Sequence, residues 1–211
     1  MQKLTTTLLL LFIVTISFGQ LSTDSIPISI DYGSKDKEFR EFLQFMNIDK
    51  HTINITNVAA KGKVIHIRLR EFINGKATRT EDFLDKDGPP LSLYKFNSTD
   101  SVFQFRVWTQ EFSKDSLRIY FRFRRHSMSK KFKIYSYNDY SLRNPNEAQG
   151  DTPKMPKDIF TPFLVYSLPY EDPKNPGQLQ YCTLTRDGIS PERWGEVFKV
   201  KHYILLEMKF D

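Results

Sequence analysis

The 211-residue chain has one cysteine, Cys182. No intrachain disulfide can form, so the fold must hold together by packing rather than by covalent staples. With Tyr181 and Leu184 beside it, the lone thiol is expected to be buried and inert. Glycine is also scarce, at nine residues against 18 Phe and 10 Tyr. A disordered tail shows the reverse bias, so a packed core is expected. Enzymatic signatures are missing: there is no G-x-S-x-G elbow, no H-E-x-x-H, no Walker loop and no dinucleotide fingerprint. His51, His66, His126 and His202 are scattered, with no pair at zinc-ligand spacing. No catalytic residue, metal or cofactor is therefore assigned. Cys182 and His202 would make a nucleophilic pair only if their segments met, and an apolar setting leaves a thiol unreactive. The apolar run Leu8–Ile16 falls short of the roughly 20 residues that span a bilayer, so no transmembrane helix is expected.

That run has another reading. Lys3 precedes it, and the small residues Ser17 and Gly19 follow. The pattern predicts a secretory signal peptide over residues 1–19, cleaved to leave Gln20 at the N-terminus. It resembles a bacterial export signal, and the resemblance covers these residues alone. No cysteine lies near the junction to take a lipid anchor, so the protein is expected to be periplasmic or secreted. Asn54-Ile55-Thr56 and Asn97-Ser98-Thr99 would be glycosylation acceptors in a eukaryotic secretory pathway. Residues 20–211 are long enough for one β-rich domain with its own core.

The patterning of those residues is mostly period two. Ile26, Ile28 and Ile30 alternate with polar neighbours as an opening strand. Phe39, Phe42, Leu43 and Met46, spaced three and four apart, predict an amphipathic helix from about Lys35 to Asn47. Ser34 or Asp36 would be its N-cap, and its aromatic stripe would pack on a sheet as core. Ile53 and Ile55 begin a return to strand. Ile65, Ile67, Leu69 and Ile73 then lead into Asn74-Gly75, the dipeptide of a type I′ turn, and Lys76–Leu84 forms the second arm. A second meander follows, with Phe103, Phe105 and Val107, then Leu117, Ile119, Phe121 and Phe123, then Phe132 and Ile134 on the buried face. Residues 140–158 read as a long loop, 160–168 and 179–185 as strands, and Ser190-Pro191-Glu192 as a helix start that Gly195 stops. Phe198, Val200, Ile204, Leu206, Met208 and Phe210 line one face of a final strand. His202, in the same register, is expected to be a hydrogen-bonded core histidine. The fold class expected is mainly β: an antiparallel sandwich or open barrel with the early helix packed on it.

Charge is concentrated in one place. The formal net charge is +6, or +5 without Lys3. Seven basic residues and no acidic one lie between Arg118 and Lys133, which more than accounts for that excess. The polar face of the meander should carry Arg106, Trp108, Arg118, Tyr120, Arg122, Arg124, Lys133 and Tyr135. Arginine forks match phosphate, sulfate and carboxylate, while Trp and Tyr planes suit rings. The face is therefore expected to bind an anionic glycan, a lipid headgroup such as lipopolysaccharide phosphate, or an acidic protein. Basic residues interleaved with aromatics also describe nucleic-acid binders, but export argues against that partner. The leading expectation is an exported, non-enzymatic binding module.

Two other classes compete. Glu81, Asp82, Asp85 and Asp87 would supply the carboxylates of an envelope or extracellular polysaccharide hydrolase, although a solvated strand end and tight turn is the simpler explanation of them. Alternating strands are also the mark of a small outer-membrane or lipid-carrying β-barrel.

Overall fold

The computed structural model describes residues 25–56, 60–83, 94–96, 101–137, 139–147 and 153–211. The expected signal peptide, Asp85, Asp87 and the Asn97 sequon lie outside them. The chain is mainly β, with antiparallel sheets that curl into a half-barrel and with few, short helices.

Strand β1 (Ser25–Tyr32) leads into helix α1 (Lys37–Phe45) and β2 (Ile48–Ile55). The hairpin β3 (Ile65–Ile73) and β4 (Lys76–Asp82) follows, then the meander β5 (Phe103–Ser113), β6 (Ser116–Arg122) and β7 (Ser127–Lys133). Short strands β8 (Ser141–Arg143) and β9 (Lys154–Pro156) precede β10 (Thr161–Ser167). After them come β11 (Tyr170–Glu171), β12 (Leu179–Gln180), helices α2 (Cys182–Arg186) and α3 (Trp194–Val197), and β13 (His202–Phe210).

One sheet has the order β7-β6-β5-β2-β1-β9 and the other β4-β3-β13-β10-β8. Their facing sides share a core in which the rings of Phe105, Phe121, Phe123 and Phe163 are each 2% exposed or less. Side chains join the sheets along one margin. Lys130 Nζ on β7 lies 3.1 Å from Glu81 Oε2 on β4, and the Arg79 guanidinium stacks 4.7 Å from the Phe132 ring centroid. On the other margin, Leu142 N–H of β8 donates to Asp49 Oδ2 of β2 at 2.7 Å.

The Asn74-Gly75 turn forms as its residues require, with φ of 50° and 78° and Ile73 opposite Lys76. Its tip is seated against α3: a Cβ on Gly195 would lie 2.2 Å from Gly75 Cα. Gly195 therefore serves backbone contact inside a helical segment, which runs from the 3₁₀ turn Pro191–Arg193 through Val197, and does not stop it.

Several other expectations are corrected. Helix α1 is capped by Asp36, whose side chain accepts from Phe39 N–H at 2.9 Å, but its aromatic stripe is not core. Of its own residues only Leu43 is buried; Phe42 is 52% and Phe45 87% exposed. Residues 140–158 are not a plain loop, since they contribute edge strands β8 and β9 to the two sheets. Residues 179–185 hold two strand residues and then α2, which leaves the Cys182 thiol exposed. Strand β13 is buried on both faces from His202 to Met208. The outer side of this sheet is covered in part by Trp194, which is fully buried and donates from Nε1 to Ile189 O at 3.1 Å. On that side Glu207 accepts from Arg68 Nε at 2.8 Å and Arg70 Nε at 2.7 Å.

Candidate ligand-binding face

Alternation along β5, β6 and β7 sends apolar residues inward and aligns the outward ones in rows. Arg106 lies opposite Arg122, Trp108 opposite Tyr120, and Gln110 opposite Arg118. On the far side of β5, Lys50 is opposite Trp108 and Ile48 opposite Gln110. On the far side of β6, Lys131 is opposite Arg118. No outward position of these three strands is acidic.

A pocket of about 290 Å³ opens on this face, lined by Ile48, Trp108, Thr109, Gln110, Arg118 and Tyr120. This is just under the usual range of small-molecule sites, ~300–1,000 Å³. Helix α1 stands at its edge. The Phe39 ring meets the Trp108 ring edge-on with centroids 6.1 Å apart, and Gln110 Nε2 donates to Met46 O at 3.3 Å. Arg118 Nη2 donates to Gln110 Oε1 at 3.3 Å, while its guanidinium carbon lies 4.4 Å from the Phe112 ring centroid. Lys131 Nζ approaches the same ring at 4.9 Å. Among the described residues an amide and a ring, rather than a carboxylate, hold the guanidinium, and neither cancels its charge. Trp108 Nε1 is buried and has no hydrogen-bond partner among the described residues. A buried donor left in that state costs free energy.

The field of the face is visible in its titratable neighbours. The Lys50 ammonium titrates below its ordinary value, first through burial and then through repulsion from Arg106. His126 is also lowered, by burial and then by Arg122. Like charges close enough to act on one another favour an incoming anion.

The eight residues expected to form the site divide into four groups. Trp108, Arg118 and Tyr120 line the pocket. Arg106 and Arg122 form the adjacent, exposed row. Arg124 is exposed beyond the end of β6, and Lys133 is exposed at the end of β7. Tyr135 is not brought to the pocket. It lies past β7, and its ring packs against that of His202 with centroids 4.4 Å apart. Ile48, Gln110 and Phe39 escape a reading of the sequence, because only the pairing of β2 with β5 and the seat of α1 bring them to Trp108.

His202 is a core histidine with both nitrogens occupied. Tyr140 Oη is 2.6 Å from Nδ1, and Nε2 is 3.0 Å from Glu71 Oε1. His202 is fully buried while Cys182 is exposed, so the two make no nucleophilic pair. Burial pushes the Tyr140 hydroxyl above its ordinary range, which keeps it a donor. In the acidic segment, burial raises Glu81, but hydrogen bonds from Arg79 and Lys130 outweigh it and leave the carboxyl below its ordinary value. Among the described residues no three His, Cys, Asp or Glu side chains converge as a metal site, and no helix is long and apolar enough to cross a membrane.

Comparison with protein-family models, curated proteins and solved structures finds no match to this chain.

Proposed function

We propose that this protein is an exported, non-enzymatic binding module whose β5–β6–β7 outer face takes an anionic ligand carrying a compact ring. The observation that carries the reading is the pocket itself. Three residues singled out by their chemistry, Trp108, Arg118 and Tyr120, line one concavity, with a guanidinium that its described neighbours do not cancel. Arg118 supplies the charge, Trp108 and Tyr120 the flat apolar walls, and Gln110 a neutral donor and acceptor. Arg106, Arg122 and Lys131 raise the local anion concentration without shaping the pocket. A sugar ring bearing phosphate, sulfate or carboxylate meets all of these requirements.

The competing readings have weaker support. A glycoside hydrolase needs a carboxylic acid tuned upward to protonate a leaving group, and Glu81 is shifted the other way by Arg79 and Lys130. A membrane barrel turns its apolar side out, whereas here the aromatic rings fill the interior and the arginines face outward. The same rings occupy the space in which a lipid-carrying barrel holds its cargo.

The test is thermal melting of the processed protein with glucuronate, a sugar phosphate, a sulfated sugar and a neutral hexose, at low and high salt. A ligand at about 100 times its Kd stabilises by ~2.7 kcal/mol, a rise in Tm of about 5–10 °C for a chain of this size. The expected result is such a rise with an anionic ring only, suppressed by salt and absent in Arg118→Ala. Equal shifts with the neutral hexose, or an unchanged shift in Arg118→Ala, overturn the reading.

A further inference from the structure

The aromatic stripe of α1 is left in water, and it continues directly from the pocket. The Trp108 ring touches Phe39 edge-on, and Phe39 stacks on Phe42 with centroids 6.3 Å apart and planes 16° off parallel. Phe45, the most exposed large apolar side chain among the described residues, follows three residues on, and Met46 is also exposed. A run of rings open to water on a nine-residue helix is costly unless something covers it. A soluble acidic sugar explains Arg118 but leaves Phe42 and Phe45 unused.

The flanking charges favour one kind of cover. Helix α1 carries Lys37, Glu38, Arg40 and Glu41 and is neutral by formal charge, with Lys37 and Glu41 paired at 3.8 Å. The outward rows of β5, β6 and β7 carry Arg106, Arg118, Arg122, Lys131 and Lys133 and no acidic residue. An apolar ridge beside a cationic face matches the layering of an anionic lipid surface, where acyl chains lie beneath phosphate headgroups. Apolar rings enter the first ~5–10 Å of such an interface while basic residues remain at phosphate depth.

We propose that α1 is a membrane-docking element: Phe42 and Phe45 enter the outer layer of an anionic lipid surface, and a lipid phosphate or phosphorylated headgroup sugar occupies the Arg118 pocket. This rests on the anionic-ligand reading and names the source of the anion as a lipid surface. Both functions come from one continuous surface, since Phe39 joins the ridge to the pocket wall.

The experiment is co-sedimentation of the processed protein with phosphatidylcholine vesicles, alone and doped with phosphatidylglycerol, at low and high salt. Wild type is compared with Phe42→Ala/Phe45→Ala and with Arg118→Ala. Soluble sugar phosphate is titrated in parallel against all three proteins, and their unliganded melts check that each is folded. Expected is salt-sensitive binding to the doped vesicles only. Loss of both rings should weaken it by about a hundredfold or more, at roughly tenfold per buried phenyl ring, while sugar phosphate binding is unchanged. Arg118→Ala should weaken both. A Phe45→Trp protein should show an emission blue shift on adding doped vesicles. Undiminished vesicle binding by the ring-deleted protein overturns the docking role and leaves the anionic pocket standing. The docking role also falls, and the pocket again stands, if no vesicle binds while sugar phosphate still does. If neither vesicle nor sugar phosphate binds, both readings fall.

Discussion

Tyr140→Phe removes one oxygen from the centre of a buried hydrogen-bond chain. In the native protein Tyr135 N–H donates to Tyr140 Oη at 3.2 Å. That hydroxyl in turn donates to His202 Nδ1 at 2.6 Å, and His202 Nε2–H donates to Glu71 Oε1 at 3.0 Å. This direction of donation satisfies every member of the chain, which is how the imidazole tautomer is assigned. Without the hydroxyl, His202 Nδ1 is left fully buried with no partner, at a cost of about 1–3 kcal/mol. Tyr135 N–H, only part-buried, can turn to water and adds little. A loss of that size lowers Tm by about 2–12 °C at ~2–4 °C per kcal/mol. Thermal and urea melts of wild type and variant measure it, and the urea slope should stay constant because the surface exposed on unfolding is the same. Removing His202 instead leaves Glu71 Oε1 and the Tyr140 hydroxyl without their partner, at about 1–3 kcal/mol for each group left unpaired. The chain lies between the sheets and the pocket lies outside one of them, so ligand-induced shifts in Tm should be preserved in Tyr140→Phe. A Tyr140→Phe melt within about 1 °C of wild type would show that this buried nitrogen does not need the hydroxyl, and the hydrogen-bond chain would lose its structural role.

Two further outcomes follow from the core. Burial, then Arg143 and Lys50, hold His51 at a pKa of about 3 against 6.5 in the unfolded chain. A lowered histidine gives its full stability above pH 6.5 and loses it as pH falls toward 3, since the unfolded chain takes up the proton first. Near pH 5 the loss is about 2 kcal/mol; urea melts across this window should show it, and His51→Gln should flatten the decline. Gly195→Ala places a methyl group 2.2 Å from Gly75 Cα, where only backbone movement relieves the overlap. Destabilisation of about 1–3 kcal/mol is expected, together with faster amide exchange at the β3–β4 turn. Unchanged exchange there would show that the turn does not depend on this contact.

What the sequence discloses depends on whether the deciding physics is local. Asn74-Gly75 is readable because positive φ at two successive residues is a property of those residues. The inward faces of β5 and β6 are readable because one side of each strand meets the core and the other meets water, which leaves strict alternation. Strand β13 gives only half its burial away. Tyr203, Leu205 and Glu207 are covered by chain that packs over the outer side of the sheet, and spacing does not register such a cover. The same limit explains α1: the periodicity of Phe39, Phe42, Leu43 and Met46 tells which residues share a face, not what that face meets. Trp108, Arg118 and Tyr120 are legible from charge and aromatic alternation. Ile48 and Gln110 complete the wall only through the register of β2 against β5, and Tyr135 is misplaced when the alternation of β7 is carried two residues beyond its end.

Fluorescence titration of Trp108, with the anionic sugar that raises Tm, puts the pocket itself to the test. The other indole, Trp194, is fully buried and bonded to Ile189 O, so it provides a constant background. Binding in the pocket predicts a saturable, salt-sensitive change in emission that disappears in Trp108→Phe, with a midpoint matching the Kd from melting. A ligand that stabilises the protein but leaves Trp108 emission unchanged, or a change that persists in Trp108→Phe, would place binding elsewhere and contradict the assignment.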